Sequence, residues 1–243
     1  MIYLYAITNQ SQLPPNSTTG LLRQPLYFVV YEELRAVVSA IVPQEVQTSA
    51  EQVWAHEAVV ETLMAHGAVL PVRFGTILER EAVVEALLRE RAAVFRADLT
   101  RLAGCVELGL RALLLDLPAP PAPEPQANPS SGREYMLRRF AAAQTLQARR
   151  VQAITAANAL HAALTDYAVA SVQREPTGER MLLSAAYLVR HAEIARFREA
   201  VVALDAANDH LRLLCTGPWP PYHFVSRDEG CGMRDALAPI SPT

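Results

Sequence analysis

The stretch VELGLRALLL, residues 106 to 115, alternates apolar with polar or small residues and then turns continuously apolar, the pattern of a strand. Where this strand belongs decides the fold. Just after it comes LPAPPAPEPQANPSS, with six prolines from Pro118 to Pro129, an extended and solvated composition that invites a domain boundary. A cut there leaves α-β-β-α-β behind it, with too few strands for a closed layer. A cut at Gly104 adds 106–115 and yields β-α-β-β-α-β, the ferredoxin-like unit, which is a complete two-layer domain. The chain therefore reads as α+β with two domains. An N-terminal α+β domain takes residues 1–103. A ferredoxin-like C-terminal domain takes 104–225, with a Pro-rich insertion at 118–131, and 226–243 form a tail.

The other elements follow from periodicity. IYLYAI (2–7) reads as a first strand, residues 9–25 as a loop, and LYFVVY and LRAVVSAIV as two strands about Glu32 and Glu33. Ser49 and Gln52 form a capping box, followed by a helix with Val53, Trp54, Val60, Leu63 and Met64 at helical spacing and Gly67 at its end. VLPVRFGTIL (69–78) is a short extended piece kinked at Pro71. A helix from Glu79 to Leu102 and a long one from Arg133 to Thr165 are expected. Two strands joined through PTGE, a helix with Ile194, Phe197, Val201 and Leu204 inward, and a last strand at 211–216 follow.

Composition excludes several classes of function. The chain of 243 residues is 51% hydrophobic with net charge −3, enough to bury a core and without the basic face that nucleic acid requires. All of its basic residues are arginine. Three cysteines without regular spacing argue against a disulfide framework. The N-terminus lacks a signal peptide and no apolar run reaches the length of a membrane span, so the simplest compartment is the cytoplasm. The six histidines stand at no metal-ligand spacing and read as scattered surface or loop residues. Glycine-rich phosphate loops and nucleophile elbows are absent, and the charged run at 79–101 reads as a solvated helix face. No cofactor, metal or catalytic residue is expected.

Two runs carry a resemblance. VLPVRFGTIL and GPWPPYHFV (217–225), in this order and with the opening YLYAI, are similar to the hallmarks of the gas vesicle protein F/L family, and the likeness extends from residue 1 to about 225. The resemblance implies an accessory or minor structural component of gas vesicles, without catalysis, that contacts the small hydrophobic major shell protein and other accessory proteins during assembly. It implies a place on the vesicle shell within the cytoplasm. A small-molecule-binding regulatory module on the ferredoxin-like domain is the competing reading, on fold alone.

Six residues are the candidate contact positions: Arg73, Phe74, Trp219, Pro220, Tyr222 and Phe224. Arg73, among apolar neighbours, needs a carboxylate or carbonyl partner within the fold or across an interface. Gly217 and Pro218 are expected to break the last strand. Pro220 and Pro221 then hold the chain extended, with Tyr222 and Phe224 on one face and His223 and Val225 on the other. Trp219, Tyr222 and Phe224 serve one of three ends: joining the two domains, meeting a partner, or filling core.

Overall fold

The computed structural model describes residues 1–15, 19–115, 132–178 and 180–226. The Pro-rich insertion at 118–131 and the tail beyond Ser226 lie outside the described residues. The chain is mixed helix and sheet, with two antiparallel sheets. It divides into two compact units: Met1–Glu107 together with the residues from Pro218 on, and Leu108–Gly217. Residues 218–226 thus pack with the first unit, whereas the sequence reading set the seam at 103/104 and carried the second domain to 225.

In the first unit, β1 (Ile2–Thr8) is flanked by β3 (Leu34–Ala40) and by β4 (Val69–Pro71), and β2 (Tyr27–Tyr31) pairs outside β3. A two-residue turn at Glu32–Glu33 joins β2 to β3. β5 (Ile77–Leu78) also pairs with β1, so residues 72–76 bow out between two pairings on one strand edge. β1 is buried at all seven positions, which requires cover on both faces of the sheet. Tyr3 and Tyr5 pack with Val59, Val60 and Leu63 of α1 (Ala50–His66). The helices α2 (Glu81–Glu90) and α3 (Ala92–Leu102) contact β2, β3 and β4.

The register of β1 slips between Leu4 and Ala6, placing a bulge at Tyr5. The Tyr5 hydroxyl there accepts the Leu21 N–H at 2.7 Å and bonds Ser39 Oγ at 3.0 Å. Gly20 lies against it: a Cβ on Gly20 would sit 2.3 Å from Tyr5 Oη. Gly20→Ala is therefore expected to cost about 2 kcal/mol through overpacking. Urea unfolding measures this, and the cost should shrink in a Tyr5→Phe background, where the obstructing oxygen is gone.

Three local expectations change. Ser49 Oγ caps α1 by accepting the Gln52 N–H at 3.3 Å, but Gln52 Oε1 reaches past Ser49 to the Gln47 N–H at 2.8 Å. Trp54, expected on the apolar stripe, is 65% exposed, and His56 takes the buried place on that face. The helix expected over 79–102 breaks at Arg91, whose φ of −106° and ψ of 14° leave the helical region. The Arg91 side chain is drawn inward, over the Phe95 ring at 4.9 Å, with Nη2 donating to the Ser226 carbonyl at 3.0 Å.

In the second unit the element order is β6 (Cys105–Leu114), α4 (Gly132–Thr165), β7 (Ala170–Arg174), β8 (Met181–Arg190), α5 (Ile194–Ala206) and β9 (Leu211–Trp219). The strand order is β7-β8-β6-β9. Phe197 and Val201 of α5 are buried, with Ile194 and Leu204 packed beside them, as the spacing predicted. The Tyr187 ring packs tilted against Phe197 at 5.1 Å, and its hydroxyl meets His161 Nδ1 at 2.6 Å. β9 runs through Gly217 and Pro218 instead of breaking there. As the outer strand it has one side free of the ladder, which tolerates a proline, and Gly217 takes a φ of +104° that other residues rarely adopt.

Candidate functional site

The side chains that hold residues 219–226 form a polar cluster in the first unit. The segment does not stay extended after its prolines. The Tyr222 N–H donates to the Pro220 carbonyl at 2.8 Å and the Phe224 N–H to the Pro221 carbonyl at 3.1 Å, so the backbone curls. The expected alternation of faces is lost with it. Proline lacks a donor but keeps its carbonyl, and two prolines in a row here supply two turn acceptors.

Three carboxylates receive the curl. Glu57 Oε1 accepts from the Tyr222 hydroxyl at 2.7 Å. Glu107 holds His223 twice, through the backbone N–H at 2.9 Å and ring Nδ1 at 2.5 Å. Asp98, only 2% exposed, takes the Ser226 N–H at 2.7 Å and the Ser226 hydroxyl at 2.9 Å, and Arg101 at 2.6 Å. Arg101 also donates to the Phe224 carbonyl. Nε2 of His223 is buried and has no hydrogen-bond partner among the described residues.

His56 sits at the centre of a second chain of bonds. Its Nε2 faces the Val72 carbonyl at 3.0 Å, which can only accept, so that nitrogen carries the proton. Nδ1 then accepts from the Tyr3 hydroxyl at 3.0 Å, and Tyr3 in turn accepts the Gly75 N–H at 2.9 Å. Burial depresses the His56 pKa to about 4, so the ring is neutral at physiological pH. Burial raises the Glu57 pKa, against the opposing pull of the Tyr222 hydrogen bond. Burial, then the Glu57 charge, raises the Tyr222 hydroxyl, which stays protonated.

The six candidate residues are partly united here. The rings of Phe74 and His56 meet edge-on at 5.8 Å, and the Tyr222 hydroxyl lies 3.5 Å from His56 Nε2, so Phe74 and Tyr222 flank one imidazole. Phe224 and Pro220 are buried, and Trp219 is half-buried at the end of β9. Arg73 is half-buried on the 72–76 loop, where its carbonyl accepts the Thr76 hydroxyl at 2.7 Å. The loop closes at Gly75, with φ +84°.

The anchoring groups His56, Glu57, Asp98, Glu107, Arg101 and His223 escaped the sequence reading. One signal was present: Arg91, Phe95, Asp98 and Leu102 stand at the i, i+4, i+7, i+11 spacing of a single helix face. Charged residues on a core stripe mark buried pairing. The charged run 79–101 is thus not wholly a solvated face.

Apart from Nε2 of His223, the side-chain groups of this cluster described above are engaged in fixing the curl, so its chemistry is anchorage. Tyr222→Phe is expected to cost about 2 kcal/mol at neutral pH, because it leaves the Glu57 carboxylate without its donor. The loss should be smaller in acid, where Glu57 takes up a proton; chemical denaturation at two pH values checks it. Among the described residues no three His, Cys, Asp or Glu side chains gather as a metal site, and no helix is long and apolar enough to cross a membrane.

Comparison with known proteins places this architecture. The chain is 27% identical over 230 residues to gas vesicle protein F2 of Halobacterium salinarum, covering 92% of this chain and 91% of that protein. It is 31% identical over 240 residues to gas vesicle protein F of a Streptomyces species, covering 92% and 98%. Crystal structures of GvpF from Anabaena and from Microcystis aeruginosa superpose with TM-scores of 0.74 and 0.71. They cover 94% and 93% of this chain and 99% of each of those chains, at 24% and 22% identity, and share its fold. The family model of gas vesicle synthesis protein GvpL/GvpF matches residues 1–226, from β1 through the curl that closes the first unit, and the chain belongs to that family.

Proposed function

We propose that this protein acts in gas vesicle formation by binding the major shell protein, together with other gas vesicle accessory proteins, in the cytoplasm and on the growing shell. The observation that carries the reading is the family match over residues 1–226, which includes both the 72–76 loop and the 218–226 segment. The family is one of gas vesicle synthesis, not of catalysis.

The geometry supports a division of labour among the six candidate residues. Pro220, Tyr222 and Phe224 set the curl, and Arg73, Phe74 and Trp219, each half-buried, present the contact. A fixed loop with aromatic anchors suits an apolar client that exposes strand edges before it is assembled. The second unit is read as a ferredoxin-like module, on its β-α-β-β-α-β order and β7-β8-β6-β9 sheet.

The test is co-expression of the tagged protein with the major shell protein. Recovery of the shell protein, and its loss with a folded Phe74→Ala or Trp219→Ala variant, supports the reading. Failure of the shell protein to co-purify with the unaltered chain overturns direct binding. Arg73→Ala separates two roles: loss of vesicles at an unchanged thermal midpoint marks a contact residue, and a fall of several degrees marks a structural one.

A further inference from the structure

α4 is 34 residues long, but the residues that join the core of its unit begin only at Ala153. The preceding part, 132–152, rises about 30 Å. Along it and just beyond, Met136, Phe140, Ala143, Gln147, Val151 and Ile154 recur at steps of four or three. At about 100° per residue they fall within a strip about 80° wide. The four large ones are 66%, 63%, 53% and 38% exposed. The core-facing Ala153, Ala157, Leu160 and Leu164 lie on a different side of the helix. Charge is segregated here as well. Residues 132–152 carry five arginines against one glutamate, Glu134, a balance of +4 in a chain of net −3. After Glu134 no acidic residue occurs until Asp166. Glu134 pairs with Arg138, whereas Arg139 and Arg150, both exposed, border the apolar strip.

We propose that residues 132–154 of α4 are a docking surface for an acidic, amphipathic helix of a partner protein. Width and charge together select that occupant. Tyr135 and Leu137 add exposed apolar surface to either side of the first turn, but beyond it the large exposed residues Phe140, Val151 and Ile154 keep to the strip, as in a helix-pairing seam, whereas a helix lying on a lipid surface offers a broad apolar face along its length. A second α4 would bring a balance of +4 against +4 along the seam, which opposes pairing between copies. Carboxylates flanking the partner's apolar stripe complement Arg139 and Arg150, and arginine suits such bidentate pairing. This surface lies on the second unit and does not depend on the contact proposed for Arg73, Phe74 and Trp219.

The experiment uses the full chain and two synthetic helical peptides with the same leucine seam, one flanked by glutamate and one by arginine, followed by fluorescence anisotropy. The acidic peptide is expected to bind about tenfold or more tightly than the basic one, and to weaken as salt is raised. Met136→Ser with Phe140→Ser should abolish that binding at an unchanged thermal midpoint, because both side chains are exposed. Arg139→Glu with Arg150→Glu should invert the preference. Equal binding of the two peptides, or binding untouched by the Met136 and Phe140 changes, overturns the proposal. So does self-association that depends on Phe140 in light scattering, or binding to phosphatidylglycerol vesicles in place of the peptide. The shell-protein pull-down should be indifferent to these variants if the two surfaces are independent.

Discussion

Replacing Asp98 with alanine is expected to cost about 3 to 4 kcal/mol and to lower the thermal midpoint by about 10 °C. Asp98 is the most heavily used carboxylate of the cluster: it accepts from the Ser226 N–H, the Ser226 hydroxyl and Arg101. Alanine removes all three bonds at once and leaves Arg101 without its carboxylate. The Arg101 side chain is 42% exposed, so water recovers part of its solvation and the loss stays at the lower end for a buried pair. Limited proteolysis adds a local readout, since residues 222–226 should become cleavable before the rest of the first unit. A useful contrast is Arg96→Ala. Arg96 pairs with Glu32 and Glu33 entirely at the surface, and its loss should leave the thermal midpoint nearly unchanged. Equal losses from the two variants would refute the central place given to Asp98.

The second large effect is a loss of stability in acid that traces to His56. Its pKa lies near 6.5 when unfolded and near 4 in the folded chain, so below pH 6.5 the unfolded state takes up a proton that the native ring refuses. Stability from this residue is complete above pH 6.5 and falls as pH drops toward 4, by about 3 kcal/mol in all. The cause is burial, which penalises the charged ring. Protonating Nδ1 would point a donor at the Tyr3 hydroxyl, which now donates to that nitrogen and accepts from Gly75. Glu57 works the other way, because its raised pKa lets the native state bind a proton first as pH falls. Unfolding free energy measured from about pH 7.5 to about pH 4 should therefore slope downward, and a His56→Gln variant should be flatter over that range. Parallel curves for the two proteins would remove His56 as the source.

Much of this fold is legible from periodicity, and the exceptions share a cause. The strands β1, β2, β3 and β8 and the helices α1, α4 and α5 stand where the patterns place them, because each is defined by neighbours within a few residues. The inward face of α5 is a case in which spacing alone suffices. The exceptions answer to distant partners. Arg91 breaks a helix because it reaches Ser226, and Asp98 is buried because the same residue needs an acceptor. Trp54 and His56 exchange their expected places because the buried site has a hydroxyl donor for an imidazole nitrogen, from Tyr3, and a ring to stack on it, from Tyr5. Hydropathy assigns His56, Asp98 and Glu107 to the surface, and only the sheet and the curl supply the partners that pull them in. The two runs that identified the family are both close to this cluster, yet the residues that organise it lie on α1, α3 and β6.

The return of residues 218–226 to the first unit sets an order on how the molecule is made. The second unit is one uninterrupted stretch, Leu108–Gly217, and can close as soon as it has left the ribosome. The first unit begins earlier but finishes later, since Glu57, Asp98 and Glu107 wait for Tyr222, His223 and Ser226 to be synthesised more than a hundred residues on. During that interval the three carboxylates lack the partners that the curl supplies. The curl relieves this, so the first unit is completed only after the whole of the second has been made.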